Sequence, residues 1–221
     1  MKGLLAAVLL PTLLAAALAW AAAPNVDEVV RKLQDRYDQT TDFTADFAQS
    51  VDVETLGQKL EAKGRVAYKR PGRMRWEFVT PEEQIIVADG ETLWIYQPSQ
   101  KQVLRAPFKV AFQSAMPISF LFGIGRLTRD FTPTLASADA DRLRVRLEPK
   151  SEADIGVLVL DVDPKTYDVR AAEVTDPFGN VTRLEFKNLK RGVGVPDSTF
   201  VFRVPDGVDV VEPPAQPQPA S

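Results

Sequence analysis

Two stretches of alternating polarity separated by Arg70-Pro71-Gly72 constrain this chain more than any other feature. Before the turn, Gly64, Val66 and Tyr68 alternate with Arg65, Ala67 and Lys69; after it, Met74, Trp76 and Phe78 alternate with Arg73, Arg75 and Glu77. A period of two means a β-hairpin with one apolar and one largely charged face. The apolar faces coincide only if Tyr68 lies opposite Met74 and Val66 opposite Trp76, which demands an odd-length loop, at shortest Arg70-Pro71-Gly72. By the same parity Arg70 falls on the Val66/Tyr68 side, a cation at the rim of an aromatic surface. Turn arginines are ordinarily solvated, so parity alone leaves both readings of Arg70 open.

The pattern extends in both directions. Asn25 or Asp27 can cap a helix carrying Val26, Val29, Val30, Leu33 and Tyr37 at 3.6-residue spacing, ending near Gln39-Thr40. Phe43, Ala45, Phe47, Val51 and Val53 then alternate with polar neighbours as a first strand. A turn at Glu54–Lys59 leads through Leu60 and Ala62 into the hairpin. A second hairpin, Gln84–Ala88 and Thr92–Tyr96, is expected about Asp89-Gly90 as a type I′ turn. Both of its faces are apolar, so cover is expected on both sides, with the first helix on one. Between Pro107 and Asp130 the period breaks down. Phe108, Met116, Ile118, Phe120 and Leu121 crowd among Pro117, Gly123 and Gly125, which suggests one or two short helices.

From Phe131 antiparallel strands return: Leu143–Leu147, Ile155–Val162, Val169–Thr175, Val181–Lys187 and Phe200–Val204, with an edge strand within 205–211. Turns recur every eight to twelve residues or so, as in sandwiches and barrels. Residues 212–221, rich in proline and alanine, have nothing to bury.

The N-terminus reads as an export signal. Lys2 precedes an apolar run, and Ala19-Trp20-Ala21 is an Ala-x-Ala cleavage site. Residues 1–21 are thus assigned as signal peptide, with cleavage near 21–23, and residues 24–211 as one domain. The chain contains no cysteine and no histidine. Disulfides, thiol nucleophiles, and Ser-His-Asp or Cys-His catalysis are thereby excluded as usually built, and no metal or cofactor is implied. The formal net charge is −3 with both signs interspersed, unlike a nucleic-acid footprint. Asp161, Asp163 and Glu173 could pair as acid and base. They sit at turns and on the polar parity of strands, where solvation is the simpler role.

What remains is an apolar surplus. Phe43, Phe47, Val66, Tyr68, Met74 and Trp76 line one sheet face, and the segment with Met116, Ile118, Phe120 and Leu121 can face them. Pattern alone leaves open whether these form a filled core or a concave apolar site with a lid.

Phe43-Thr-Ala-Asp-Phe-Ala-Gln49, Gly64, Lys69-Arg70-Pro71-Gly72-Arg73-Met74-Arg75-Trp76, Pro81-x-x-Gln84, Asp89-Gly90-x-x-Leu93-Trp94-x-Tyr96, Gln102-Val103 and Asp176-x-x-Gly179-Asn180 occur in this order. Together they resemble the LolA family of periplasmic outer-membrane lipoprotein carriers, over nearly the whole chain after the signal. The resemblance implies a mainly β fold: an incomplete, strongly curved antiparallel β-barrel closed by short α-helices that form a lid over a hydrophobic cavity. It implies cargo of acylated lipoproteins, received from the inner-membrane transporter LolCDE and delivered to the outer-membrane receptor LolB. It assigns Arg70 as the latch that bonds to the lid helices, and Trp76 as a cavity aromatic; Met74 stands where many members carry phenylalanine. The working form is expected to be a periplasmic monomer that is not an enzyme. The alternative is a lipid- or lipoprotein-binding sensor domain of the same fold. A secreted lipid hydrolase fits poorly with the missing histidine.

Overall fold

The structure, a computed structural model, describes residues 24–108, 126–150 and 156–212. The expected export signal, Met116, Ile118, Phe120 and Leu121 with most of their segment, Ile155, and residues 213–221 of the tail lie outside the described residues.

The helix forms as its stripe requires. Helix α1 spans Val26–Gln39 and is capped by Asn25, whose side chain accepts from the Asp27 amide at 2.8 Å; Asp27 and Glu28 stand in the first turn, where the helix dipole favours them. Val29, Val30 and Leu33 are buried.

The strands are β1 (Asp42–Val53), β2 (Gln58–Lys69), β3 (Arg73–Thr80), β4 (Gln84–Ala88), β5 (Thr92–Gln97), β6 (Gln102–Pro107), β7 (Phe131–Ala138), β8 (Leu143–Pro149), β9 (Val157–Val162), β10 (Val169–Thr175), β11 (Val181–Arg191) and β12 (Asp209–Val211). They form one sheet in the order β12-β6-β5-β4-β3-β2-β1-β11-β10-β9-β8-β7. All neighbours are antiparallel except β12 on β6. Edge strands β12 and β7 do not pair, so the curved sheet is an unclosed barrel.

The opening hairpin has the expected register: Tyr68 opposite Met74, Val66 opposite Trp76, and Lys69 opposite Arg73 around Arg70-Pro71-Gly72. Gly64 explains its own identity. A Cβ there would lie 1.9 Å from the Glu77 carbonyl oxygen and 2.8 Å from the Phe47 ring. The missing side chain admits Phe47, its cross-strand neighbour, onto the sheet.

Two apolar clusters occupy one face. Ala172 of the first is the register partner of Leu184 of the second, and Phe186 packs against both. Over β7–β10 that face is covered by α1 and by Leu127 from a one-turn helix at Leu127–Asp130. Over β1–β5 it carries the aromatic cluster described below. The first helix therefore covers a different part of the sheet from the expected one. The outer side of β4–β6 is covered instead by the C-terminal segment: Phe200 is buried, and the Phe202 ring lies 5.6 Å from Trp94 and 5.9 Å from Tyr96.

Three further expectations are corrected. Phe200–Val204 is not a strand; it follows a 3-10 turn at Asp197–Phe200, and its aromatic rings pack onto the sheet rather than extend it. At Asp89-Gly90 only Gly90 has positive φ, so the type I′ pair does not form. Instead the Asp89 carboxylate accepts from the amides of Glu91 and Thr92. Strand β11 runs on to Arg191 through a bulge in which Asn188 adopts φ 53°.

Candidate functional site

The six sheet residues singled out in the sequence come together. Phe43, Phe47, Val66, Tyr68, Met74 and Trp76 are all buried in one cluster with Ala45, Ala88, Leu93 and Leu184. Strand alternation places them on one face, and the β1–β2–β3 register brings them side by side. The Phe47 ring is central: its centroid lies 4.7 Å from Trp76 and 5.0 Å, edge-on, from Phe78. Phe43 and Tyr68 lie 5.3 Å apart. Such tilted and edge-to-face pairs are the favoured aromatic geometries. Met74 packs within this cluster as an unbranched, polarisable side chain that adapts to irregular neighbours. Phe108, Ile86 and Ile95 are half-buried against it.

Arg70 connects this face to α1. Its Nη2 donates to the Tyr37 carbonyl at 2.7 Å, and its backbone amide donates to the Thr41 carbonyl at 2.8 Å. Asp38 stands 3.9 Å away. Tyr37 belongs to the last turn of the helix, where carbonyls lack intrahelical donors and a cation complements the dipole. The Thr40 amide donates to the same carbonyl at 3.1 Å, so Arg70 shares that acceptor. Arg70 Nε is buried without a hydrogen-bond partner. Burial raises the pKa of the Tyr68 phenol, although the guanidinium of Arg70 beside it pulls the other way. Burial also pushes the Tyr37 phenol well above its ordinary value.

A second set of contacts at the same helix end escaped the sequence reading. Asp168 Oδ1 accepts from Arg36 at 2.7 Å and pairs with Arg191 at 2.5 Å; Arg191 also donates to the Thr40 hydroxyl. Asp42, buried at the start of β1, accepts from the amides of Val193 and Gly194. Apart from Asp168 and Arg191, these partners lie some 130 to 150 positions apart in sequence. No local signal marks them.

Asp161 and Glu173 are not freely solvated. Asp161 is buried beside Arg183 at 3.1 Å and Arg144 at 3.8 Å, and Glu173 pairs with the same two arginines. Asp163 is held by the amides of Lys165 and Thr166 and by Arg170. Carboxylates so engaged form a charge lattice on the outer face. No group of metal-ligating side chains occurs among the described residues, and no helix there is long and apolar enough to cross a membrane.

Residues 38–203 match the family model of LolA, outer membrane lipoprotein carrier protein. The outer-membrane lipoprotein carrier protein of Chromobacterium violaceum is 35% identical over 204 residues, covering 92% of this chain and 97% of that protein. That of Bordetella pertussis is 36% identical over 203 residues, covering 90% and 91%. An uncharacterised conserved protein from Thermus thermophilus, 15% identical, superposes with a TM-score of 0.55 over 85% of this chain and 98% of that one, a likeness of fold alone.

Proposed function

The chain belongs to the LolA family of outer membrane lipoprotein carrier proteins, and from that premise we propose that it carries lipoproteins by holding their acyl chains on the apolar face of β1–β5. The observation that supports this most is the clustering of Phe43, Phe47, Val66, Tyr68, Met74 and Trp76 on one face of an open sheet. Met116, Ile118, Phe120 and Leu121 complete the lining as the lid. Arg70, bonded to the last turn of α1, is the latch of the empty state.

On this reading residues 1–21 direct export and residues 24–211 form the carrier domain, which works as a periplasmic monomer. Its task is binding and release rather than catalysis. Burying one acyl chain of about sixteen carbons is worth roughly 12 kcal/mol at about 0.8 per methylene. A carrier that simply gained this energy would not let go. Loading therefore falls to a partner that spends energy, the inner-membrane LolCDE, and unloading to an acceptor of higher effective affinity, LolB. Reclosing the latch on an emptied site offsets part of the lost acyl contact, which lowers the barrier to release.

The test is to purify the protein from the periplasm and identify bound molecules by mass spectrometry. Acylated lipoproteins are expected. Free lipid alone, or nothing, overturns the reading.

A further inference from the structure

On the opposite face of β1–β3 from the aromatic cluster lies a half-open groove of about 590 Å³. Its floor is small and polar, with Thr44 of β1 opposite Ala67 of β2, and Thr199 of the C-terminal segment forms part of its wall. Lys190 of β11 is the register partner of Thr44 at one end, and Arg75 of β3 that of Ala67 at the other. In the adjacent row Arg65 stands between Asp46 and Glu77.

Cross-strand pairing would ordinarily join Arg65 to one of those carboxylates. Both are taken. Asp46 accepts from the Asn188 amide at 2.7 Å, an arrangement made by the β11 bulge, and Glu77 accepts from Arg75 at 2.6 Å. Arg65 and Lys190 are left exposed, with no ion pair to any described residue, while Arg73 and Arg75 on the neighbouring strand are both paired. The groove's charged side chains are Arg65, Arg75, Lys190, Asp46 and Glu77, three positive and two negative, so it is net +1 on a chain of net −3.

We propose that this groove binds an extended, acidic segment of a partner protein. Arg65 and Lys190 lie two strands apart and two residues apart along the strand direction, about 12 Å by strand spacing and rise. That span suits two carboxylates placed four residues apart, on one face of an extended chain, at about 3.3 Å per residue. Asp46 and Glu77 decide between an isolated anion and a peptide. They repel a compact multivalent anion seated between the free cations. A peptide brings backbone N–H donors for them together with carboxylates for Arg65 and Lys190. The site is independent of acyl binding, because Asp46, Arg65, Arg75, Glu77 and Lys190 stand on the opposite strand parity from the aromatic cluster.

The test uses the full chain after its signal and a fluorescein-labelled (Glu-Ser)4 peptide, read by fluorescence anisotropy at low and high salt. Saturable, salt-sensitive binding is expected, weakened about tenfold or more by Arg65→Glu and by Lys190→Glu. The control Arg203→Glu, outside the groove, should leave it unchanged. Cargo binding and thermal stability should be unaltered in all three variants, which separates failure here from failure of the carrier reading. The proposal is overturned by equal loss in the control, by inorganic phosphate or glutarate competing as well as the peptide, or by self-association of the chain through these residues.

Discussion

Replacing Arg70 with methionine keeps most of the aliphatic stem and removes the donors that tie the hairpin to α1. The main lost contact is the 2.7 Å bond from Nη2 to the Tyr37 carbonyl, together with the interaction between the guanidinium and the Tyr68 phenol. Hydrogen bonds to charged groups contribute about 1.5–3 kcal/mol. The Arg70 side chain is 37% exposed, so solvent screening favours the low end. Asp38, at 3.9 Å and half exposed, adds about 0–0.5 kcal/mol. Two features limit the cost: the Tyr37 carbonyl keeps its bond from the Thr40 amide, and the buried, unpartnered Arg70 Nε disappears. The expected net loss is about 1.5 kcal/mol, or a Tm lower by about 3–6 °C for a domain of this size. Urea denaturation of the cargo-free protein measures it, and amide exchange at Thr40 and Arg70 localises it. If the bond latches the empty state, a saturating synthetic diacylglyceryl-cysteine lipopeptide should reduce the difference between variant and parent to below about 0.5 kcal/mol. An unchanged cargo-free stability, or an equal loss with and without lipopeptide, refutes the latch.

Gly64→Ala should cost more than any other small substitution in β2, because the new Cβ meets the Glu77 carbonyl oxygen at 1.9 Å and the Phe47 ring at 2.8 Å; loss of soluble folded protein is expected, and a parent-like melting curve would contradict the close approach. Phe47→Ala should destabilise by about 3–5 kcal/mol, as for a buried core phenylalanine, and reduce lipopeptide affinity beyond what the stability loss explains. Hydrogen bonds from Lys69 and Arg73 hold the Asp197 carboxyl below its ordinary pKa of 3.8. Its contribution is therefore present above pH 3.8 and lost as pH falls through the lower folded value. In acid, amides of residues 192–202 should lose exchange protection, and Asp197→Asn should abolish that pH dependence while leaving the segment less protected near neutrality.

The hairpin around Arg70 was legible because its information is local. Alternation fixes the faces and an odd loop fixes the register, and the structure has Tyr68 opposite Met74 as parity required. Helix α1 was equally local, with its stripe, its Asn25 cap and its end at Thr40. Which part of the sheet the helix covers was not: the doubly apolar hairpin of β4 and β5 read as the place for it, whereas it lies over β7–β10. The choice depends on the long-range ties of Asp168 to Arg36 and Arg191. The C-terminal segment misled for a related reason. Phe200 and Phe202 alternate like a strand, but Asp42, Lys69 and Arg73 pin residues 193–197 across the outer face, where those rings pack without sheet hydrogen bonds. Parity placed Asp161 on the outer face correctly; what it could not show is that Arg144 and Arg183 close over it. The free cation of Arg65 was invisible for the same reason, because it depends on a bulge at Asn188 that takes its partner away.

The central claim is that acyl chains lie on the aromatic face of β1–β5. The most direct measurement is a set of intermolecular NOEs between a diacylglyceryl-cysteine lipopeptide with 13C-labelled acyl chains and the side chains of this protein. Contacts from the acyl methylenes to Phe43, Phe47, Met74 and Trp76 are expected, with none to Val87 of β4 or Val103 of β6 on the other face of the sheet. Acyl contacts confined to Val87, Val103 and the C-terminal segment, or lipopeptide binding that leaves the aromatic cluster untouched, would contradict it.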